Sequence, residues 1–471
     1  MESNVLGHGI IDYIVIFVFA LYSFYVGMNK QYKIIYILPA ALTFYFFVNW
    51  GTLLTPIKIV PFFFLMGSLF KGNFNSYISY LFENSWIRLF IIVLFVSLVI
   101  GLLFSMFFDI DNYRGYPIMK RLFIQLTSYV NCALIYVIMR NILTDERIIY
   151  EFYRAYIITT TILCIYGFYQ VLAVELNLPY RGVVYSEGKQ LGVYMGDTFR
   201  INSLTNEPKR YSYMVFMTVV LLLEISSEKL RISKHVWIFL IVIHFINAYL
   251  TLSTSFFFAI TIFVVAILLL SSHFRQLIPI RKKIVVGVVI VSVIALFNMD
   301  KVRTLYENRI EEQMTQVDGT NENYIRLEVF GFELLGEKPL LNLSGVGLGN
   351  YNFILQKEKG VGITGRATLA SLNSGVLTYI FDFGIIGVFL LFVSPIFFVV
   401  RQIKYKKLEG GLSFLFIIIC SLFLNTTFFL FAFMGVCHCC LSLEINPNNS
   451  KSTFQFGKIS DRKHVVVKAN K

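Results

Sequence analysis

Charge is scarce in this chain. Of its 471 residues only 15% are Asp, Glu, Lys or Arg, where a soluble domain of such length carries about one in four. Several signatures of soluble enzymes are missing as well. There is no His-Glu-x-x-His, no Ser/His/Asp order and no cysteine in a nucleophile context outside the apolar segments, so hydrolase chemistry finds no support. No Gly-Lys-Ser/Thr accompanies the Gly-rich "SGVGLGNY" (344–351), which excludes a nucleotide loop and leaves a tight turn that re-aims the chain. The six cysteines all lie in or at the edge of apolar segments, so no disulfide framework is implied. The first apolar block, 10–27, lacks a basic leader and a small-residue cleavage site, and it reads as a first span rather than a signal peptide.

What is present is hydrocarbon. Hydrophobic residues make up 57% of the chain, with 48 Phe and 28 Tyr. They come in blocks such as "WIRLFIIVLFVSLVIGLLFSMFF" (86–108) and "STSFFFAITIFVVAILLLSS" (253–272). A bilayer is crossed by roughly 20 helical residues, and its interior offers no partner to free backbone groups, so such blocks must be helices. The expected fold is all-α: a polytopic integral membrane protein of about 12–13 transmembrane helices. Spans are predicted near 9–27, 33–50, 53–70, 87–108, 120–139, 153–174, 208–225, 235–252, 254–271, 283–298 and 374–400. The block 412–443 is long enough for one tilted helix or a short re-entering pair.

The basic excess, +13 in net charge, falls in short loops between spans, which is the positive-inside pattern rather than a nucleic-acid surface. "NKQYK" (29–33), "HFRQLIPIRKK" (273–283) and "RQIKYKKLEG" (401–410) are placed in the cytoplasm. Alternation then puts 109–119, 175–207 and 299–372 outside, and the basic tail 460–471 inside, which favours two passes in 412–443. The organisation expected is a bundle over 1–298 with an outer loop near 175–207, an extracytoplasmic loop over 299–372, C-terminal spans over 373–443 and a basic cytoplasmic tail over 444–471. In the long outer loop, 301–340 reads as mostly helical, with apolar residues on a helical spacing from Ile325 to Leu335. Long structured loops carry function more often than mere connection.

Four features are candidates for chemistry. "RINSLTNEPKRYSY" (200–213) crowds Arg200, Glu207, Lys209 and Arg210 around Pro208. One reading is a capped helix start, in which Thr205 or Asn206 ends the loop before Pro208, and Lys209 and Arg210 are interfacial anchors. The other is an anion site, since basic residues on the outer side oppose the usual bias and Arg forks suit a diphosphate. Asp382, inside an apolar span, is a functional candidate by its cost, or else the polar filling of a helix break at Gly384. Glu224 sits at a cytoplasmic helix end and calls for no special account. Asp109-Ile110-Asp111 has the Asp-x-Asp spacing of metal-holding sugar transferases, or is a solvated helix end. Cys437-His438-Cys439-Cys440 is badly spaced for ligands on one helical face. No metal and no cofactor is expected.

The order of these motifs resembles the O-antigen ligase/polymerase superfamily, bacterial membrane enzymes that polymerise or ligate lipid-linked glycans. The likeness rests on Arg200 followed by Asn206-Glu207-Pro208, on Arg326 followed by "EVFGFELLGEKP" and "LLNLSGVGLGNY", and on Asn373 followed by "DFGIIG" (382–387). It is strongest over 200–400. The resemblance implies a fold like the class C glycosyltransferases, in the bacterial inner membrane with its active face outside. It implies a glycosyltransferase whose donor is a glycan on undecaprenyl diphosphate and whose acceptor is another lipid-linked repeat unit, making O-antigen or capsular polysaccharide. Arg200 and Arg326 would stabilise the leaving diphosphate and Glu207 would serve as base, with Lys209, Arg210, Asn373 and Asp382 binding substrate. The lipid bilayer, a flippase and a chain-length regulator are the implied partners; nucleic acid is not. In the ligase branch a His precedes the last motif's Asn, whereas here that residue is Leu372, which tilts the expectation toward a polymerase. A flippase, which should line its spans with charge, ranks below both.

Overall fold

In a computed structural model the protein is described over residues 10–44, 55–107, 112–285, 327–359, 372–404 and 410–445, apart from short gaps that include 185–189, Asn206 and Asn373. Among these residues it is a bundle of α-helices with three short β-hairpins in its loops. Among the described residues six helices are long and apolar enough to cross a membrane: α1 (Ile10–Asn29), α5 (Ser85–Phe107), α6 (Ile118–Ile142), α7 (Glu146–Glu175), α10 (Thr254–His273) and α14 (Gly375–Lys404). The chain is an all-α, multi-pass membrane protein. Shorter helices complete the bundle: α2 (Ile34–Thr43), α3 (Pro56–Phe70), α4 (Phe74–Glu83), α8 (Pro208–Glu224) and α9 (Lys234–Leu250).

Small residues bring helices together where no hydrophobic drive exists between them. α1 and α3 touch through Gly27 and Gly67, and a Cβ on either would run into a backbone carbonyl of the facing helix, Phe64 and Phe24 respectively. At the centre, Phe90 of α5 lies against Tyr129 of α6 and Phe383 of α14, with ring centroids 6.3 Å away in each case. Outward faces remain apolar and exposed, as on Phe95, Ile165 and Phe258, which suits helices facing lipid.

Two breaks within the predicted spans, both among the alternatives the sequence offered, are instructive. The block 412–443 is broken into α15 (Gly411–Cys420) and α16 (Thr427–Ile445), joined by a turn over 421–426. The α14 helix is interrupted at Gly384, whose φ of 68° is left-handed, and it loosens into a π-turn over Phe389–Val393. Within the long loop, α11 (Leu327–Glu337), α12 (Leu340–Ser344) and α13 (Tyr351–Lys359) are helical. They build a small core of their own from Leu334, Val346, Tyr351 and Leu355, closed by Leu372 and Phe381. The segments 286–326, with Arg326, and 360–371 lie outside the described residues, as do Asp109 and Asp111.

Candidate functional site

The stretch that opens α8 is mounted on a buried polar knot. Gln170, fully buried on α7, accepts at Oε1 from the backbone N–H groups of Asn202 (3.2 Å) and Ser203 (2.7 Å). Its Nε2 donates to Asn202 Oδ1 at 3.1 Å, and Ser203 Oγ donates to the carbonyl of Leu163 at 2.7 Å. Ser203 holds a φ of 52°, so this knot also bends the chain sharply. Sequence reasoning missed Gln170; its signal is an amide inside an apolar span, which must find partners there. The helix then starts with Glu207 as N-cap and Pro208 as its first residue, where a missing N–H costs nothing. The Glu207 side chain makes no capping bond, while Thr205 Oγ1 donates to the carbonyls of Asn202 (2.6 Å) and Glu207 (3.0 Å).

Helical spacing separates the charges of this stretch. Glu207 and Arg210, three residues apart, line a common cavity of about 320 Å³. Lys209 points to the break between α15 and α16, where its Nζ donates to the carbonyl of Phe423 at 2.9 Å. Arg200 ends the last hairpin strand (Thr198–Arg200) and does not line the cavity. It is half-buried, and its Nε donates to the carbonyl of Thr251 at 2.9 Å, tying the loop after α7 to the link between α9 and α10.

The Gly-rich segment is a wedge. Gly345, Gly347 and Gly349 take φ values of 67°, 80° and 70°. At Gly347 a Cβ would enter the backbone of Gly101 on α5, so two glycines are needed for this approach. Asn350 seals it by donating from Nδ2 to the carbonyls of Gly101 and Val346, both at 3.1 Å. Asp382 clamps the wedge from α14. Its Oδ1 accepts the N–H of Gly349 at 3.0 Å, and its Oδ2 accepts from Tyr129 Oη at 2.7 Å and Gln125 Nε2 at 3.0 Å. Ser97 donates to the Asp382 carbonyl. The break at Gly384 lets α12 approach, because a Cβ there would strike the carbonyl of Leu343.

Tyr351, the last residue of that segment, reaches the cavity from the loop side. Arg121 of α6 donates to its hydroxyl at 3.3 Å and lies 5.4 Å from its ring centroid. With its amide oxygen turned to the guanidinium, Asn352 accepts from Arg121 Nε and Nη1 at 2.9 Å each. The cavity thus gathers Glu207 and Arg210 of one motif, Tyr351 of the second and Leu372 beside the third. Asp382 stands one layer behind, holding Gln125 and Tyr129, which both line it. Lys58 of α3 is a lining cation that sequence reasoning passed over, because it sits inside an apolar block. Arg326 and Asn373 are outside the described residues.

The cysteine cluster has a different setting. His438 Nδ1 pairs with Tyr136 Oη and with Asn84 Nδ2, and Arg140 Nη1 lies 3.4 Å from Cys439 Sγ. No protein-family model matches this chain, and no curated protein matches it.

Proposed function

We propose that this chain polymerises a surface polysaccharide, moving a glycan from a polyprenyl diphosphate onto the terminal hydroxyl of another lipid-linked repeat unit. The observation that carries the reading is the shared cavity: Glu207 and Arg210 meet Tyr351 of the Gly-rich turn inside an apolar bundle. The residues suit the chemistry. The bond between the anomeric carbon and the diphosphate oxygen breaks, and a new glycosidic bond forms to the acceptor oxygen. Arg210 faces the charge that grows on the leaving diphosphate, and a fixed donor of this kind contributes about 3 kcal/mol in a dry site. Glu207 takes the proton of the acceptor hydroxyl. On this reading the end of the bundle that carries the cavity lies outside, as the positive-inside pattern of the basic loops favours, where no nucleotide is at hand and the diphosphate itself must supply the driving force. The bacterial inner membrane, with a flippase delivering substrate, is the setting this reading requires.

A polymerase is favoured over a ligase by Leu372, which lines the cavity where the ligase branch places a His; no His lines it among the described residues. The test is Arg210→Ala in a strain that depends on this chain, with its surface glycan run on a gel. One repeat unit in place of a ladder is expected. An unchanged ladder would sink the proposal, and accumulated full-length lipid-linked polymer would mean ligase.

A further inference from the structure

The cavity has a second polar wall that none of the sequence motifs touches. α3 begins at Pro56, so Thr55 is its N-cap and Lys58 lies in its first turn. Both line the cavity together with Arg210 of α8. Thr55 is 3% exposed, makes no capping bond, and its Oγ1 has no hydrogen-bond partner among the described residues. A buried hydroxyl left in that state is costly, and a ligand oxygen accepting from it would recover the loss. Lys58 is only 9% exposed, between the buried Ile57 and Ile59. An ammonium so placed within a bilayer protein is expensive and marks a ligand path by default. The positive end of the α3 dipole adds to the same field. The lining also carries the Glu207 carboxylate and apolar side chains, among them Leu42, Phe416 and Phe428. An anion carried on a hydrocarbon chain fits both kinds of wall.

We propose that Thr55 and Lys58 hold one phosphate of a prenyl diphosphate while Arg210 holds the other, so that the cavity selects diphosphates over monophosphates. This deepens the reading above and rests on it for the prenyl chain. The selection follows from the two helices involved. A diphosphate meets cations on both α3 and α8, whereas a monophosphate meets one and forfeits the charge-assisted contact at the other. Such contacts are strong in an apolar wall, so the difference between one and two of them supplies specificity.

The test uses the purified full-length chain in detergent, with farnesyl diphosphate and farnesyl monophosphate as probes, read by native mass spectrometry. Wild type should prefer the diphosphate by about tenfold or more, the worth of one charge-assisted contact. Lys58→Met should bring that preference near unity and Lys58→Arg should retain it. Thr55→Val should weaken diphosphate binding by about threefold or more. A Lys58→Met protein that keeps the wild-type preference overturns the proposal; if that variant fails to fold, unaltered diphosphate binding by Thr55→Val overturns it instead. Diphosphate selection through Lys58 in a chain whose loss leaves the surface ladder intact would keep the subsite and sink the polymerase reading. A normal ladder and an unchanged preference in Lys58→Met, beside a lost ladder in Arg210→Ala, would do the reverse.

Discussion

The carboxylate of Asp382 accepts the backbone N–H of Gly349 at 3.0 Å, joining an intramembrane helix break to the Gly-rich turn of the long loop. Each partner accounts for a peculiarity of the other. The acid tolerates burial because three donors surround it, Gly349, Tyr129 and Gln125. The turn can enter the bundle because its amide finds an acceptor there.

Asp382→Asn tests that joint. An amide keeps one acceptor oxygen but turns an NH₂ toward a donor, leaving a buried group unpaired at about 1–3 kcal/mol. A lower thermal midpoint in detergent and a weakened ladder should appear together. Full stability with a lost ladder would instead put Asp382 in contact with substrate.

Gly347→Ala should prevent folding, while Gly72→Ala should not. Both glycines have a left-handed φ, 80° and 75°, so both substitutions carry the backbone penalty of about 1–2 kcal/mol. Only Gly347 also faces the backbone of Gly101; around Gly72 a Cβ would meet nothing within 4 Å. Expression level and a monodisperse elution profile for the pair separate contact from strain. Equal behaviour would show that the Gly101 contact is dispensable.

Glu224 proves to be a cap rather than an idle helix end. Its carboxylate accepts from the N–H groups of Leu412 (3.1 Å) and Ser413 (3.4 Å) and from Ser413 Oγ (3.0 Å), closing the N-terminus of α15. Glu224→Ala should lower stability by about 1–2 kcal/mol, and Glu224→Gln by less. Unfolding in detergent reads the difference; an Ala variant as stable as wild type would show the cap contributes nothing.

Arg200→Ala should behave unlike Arg210→Ala. Arg200 holds the Thr251 carbonyl from outside the cavity, so its loss should lower the thermal midpoint and leave the ladder present. A single repeat unit at unchanged stability would return Arg200 to the leaving diphosphate.

Much of the frame was legible because hydrocarbon is an unforgiving solvent: long apolar blocks have no choice but to be helices. The start of α8 at Pro208 followed from proline's missing N–H, and α11 from the apolar spacing up to Leu335. The break within 412–443 was harder to place, because apolar character continues through Ser421–Thr426 while the backbone turns. Gln170 and Lys58 were hidden for the opposite reason. Each is a lone polar residue in an apolar run, and a lone residue carries no periodic signal.

Composition alone made this chain a multi-pass helical membrane protein and set where most helices begin, since those outcomes depend on local free energies of transfer and of capping. The sharing of roles among the charged residues depended on contacts between distant segments. Within "RINSLTNEPKRYSY" the sequence treats Arg200, Lys209 and Arg210 alike. Packing sends Arg200 to Thr251 and Lys209 to Phe423, and leaves Arg210 facing the cavity with Glu207. Only the fold could divide them, because a side chain's neighbours across the bundle are set by helix rotation and close glycine contacts, which no single segment encodes.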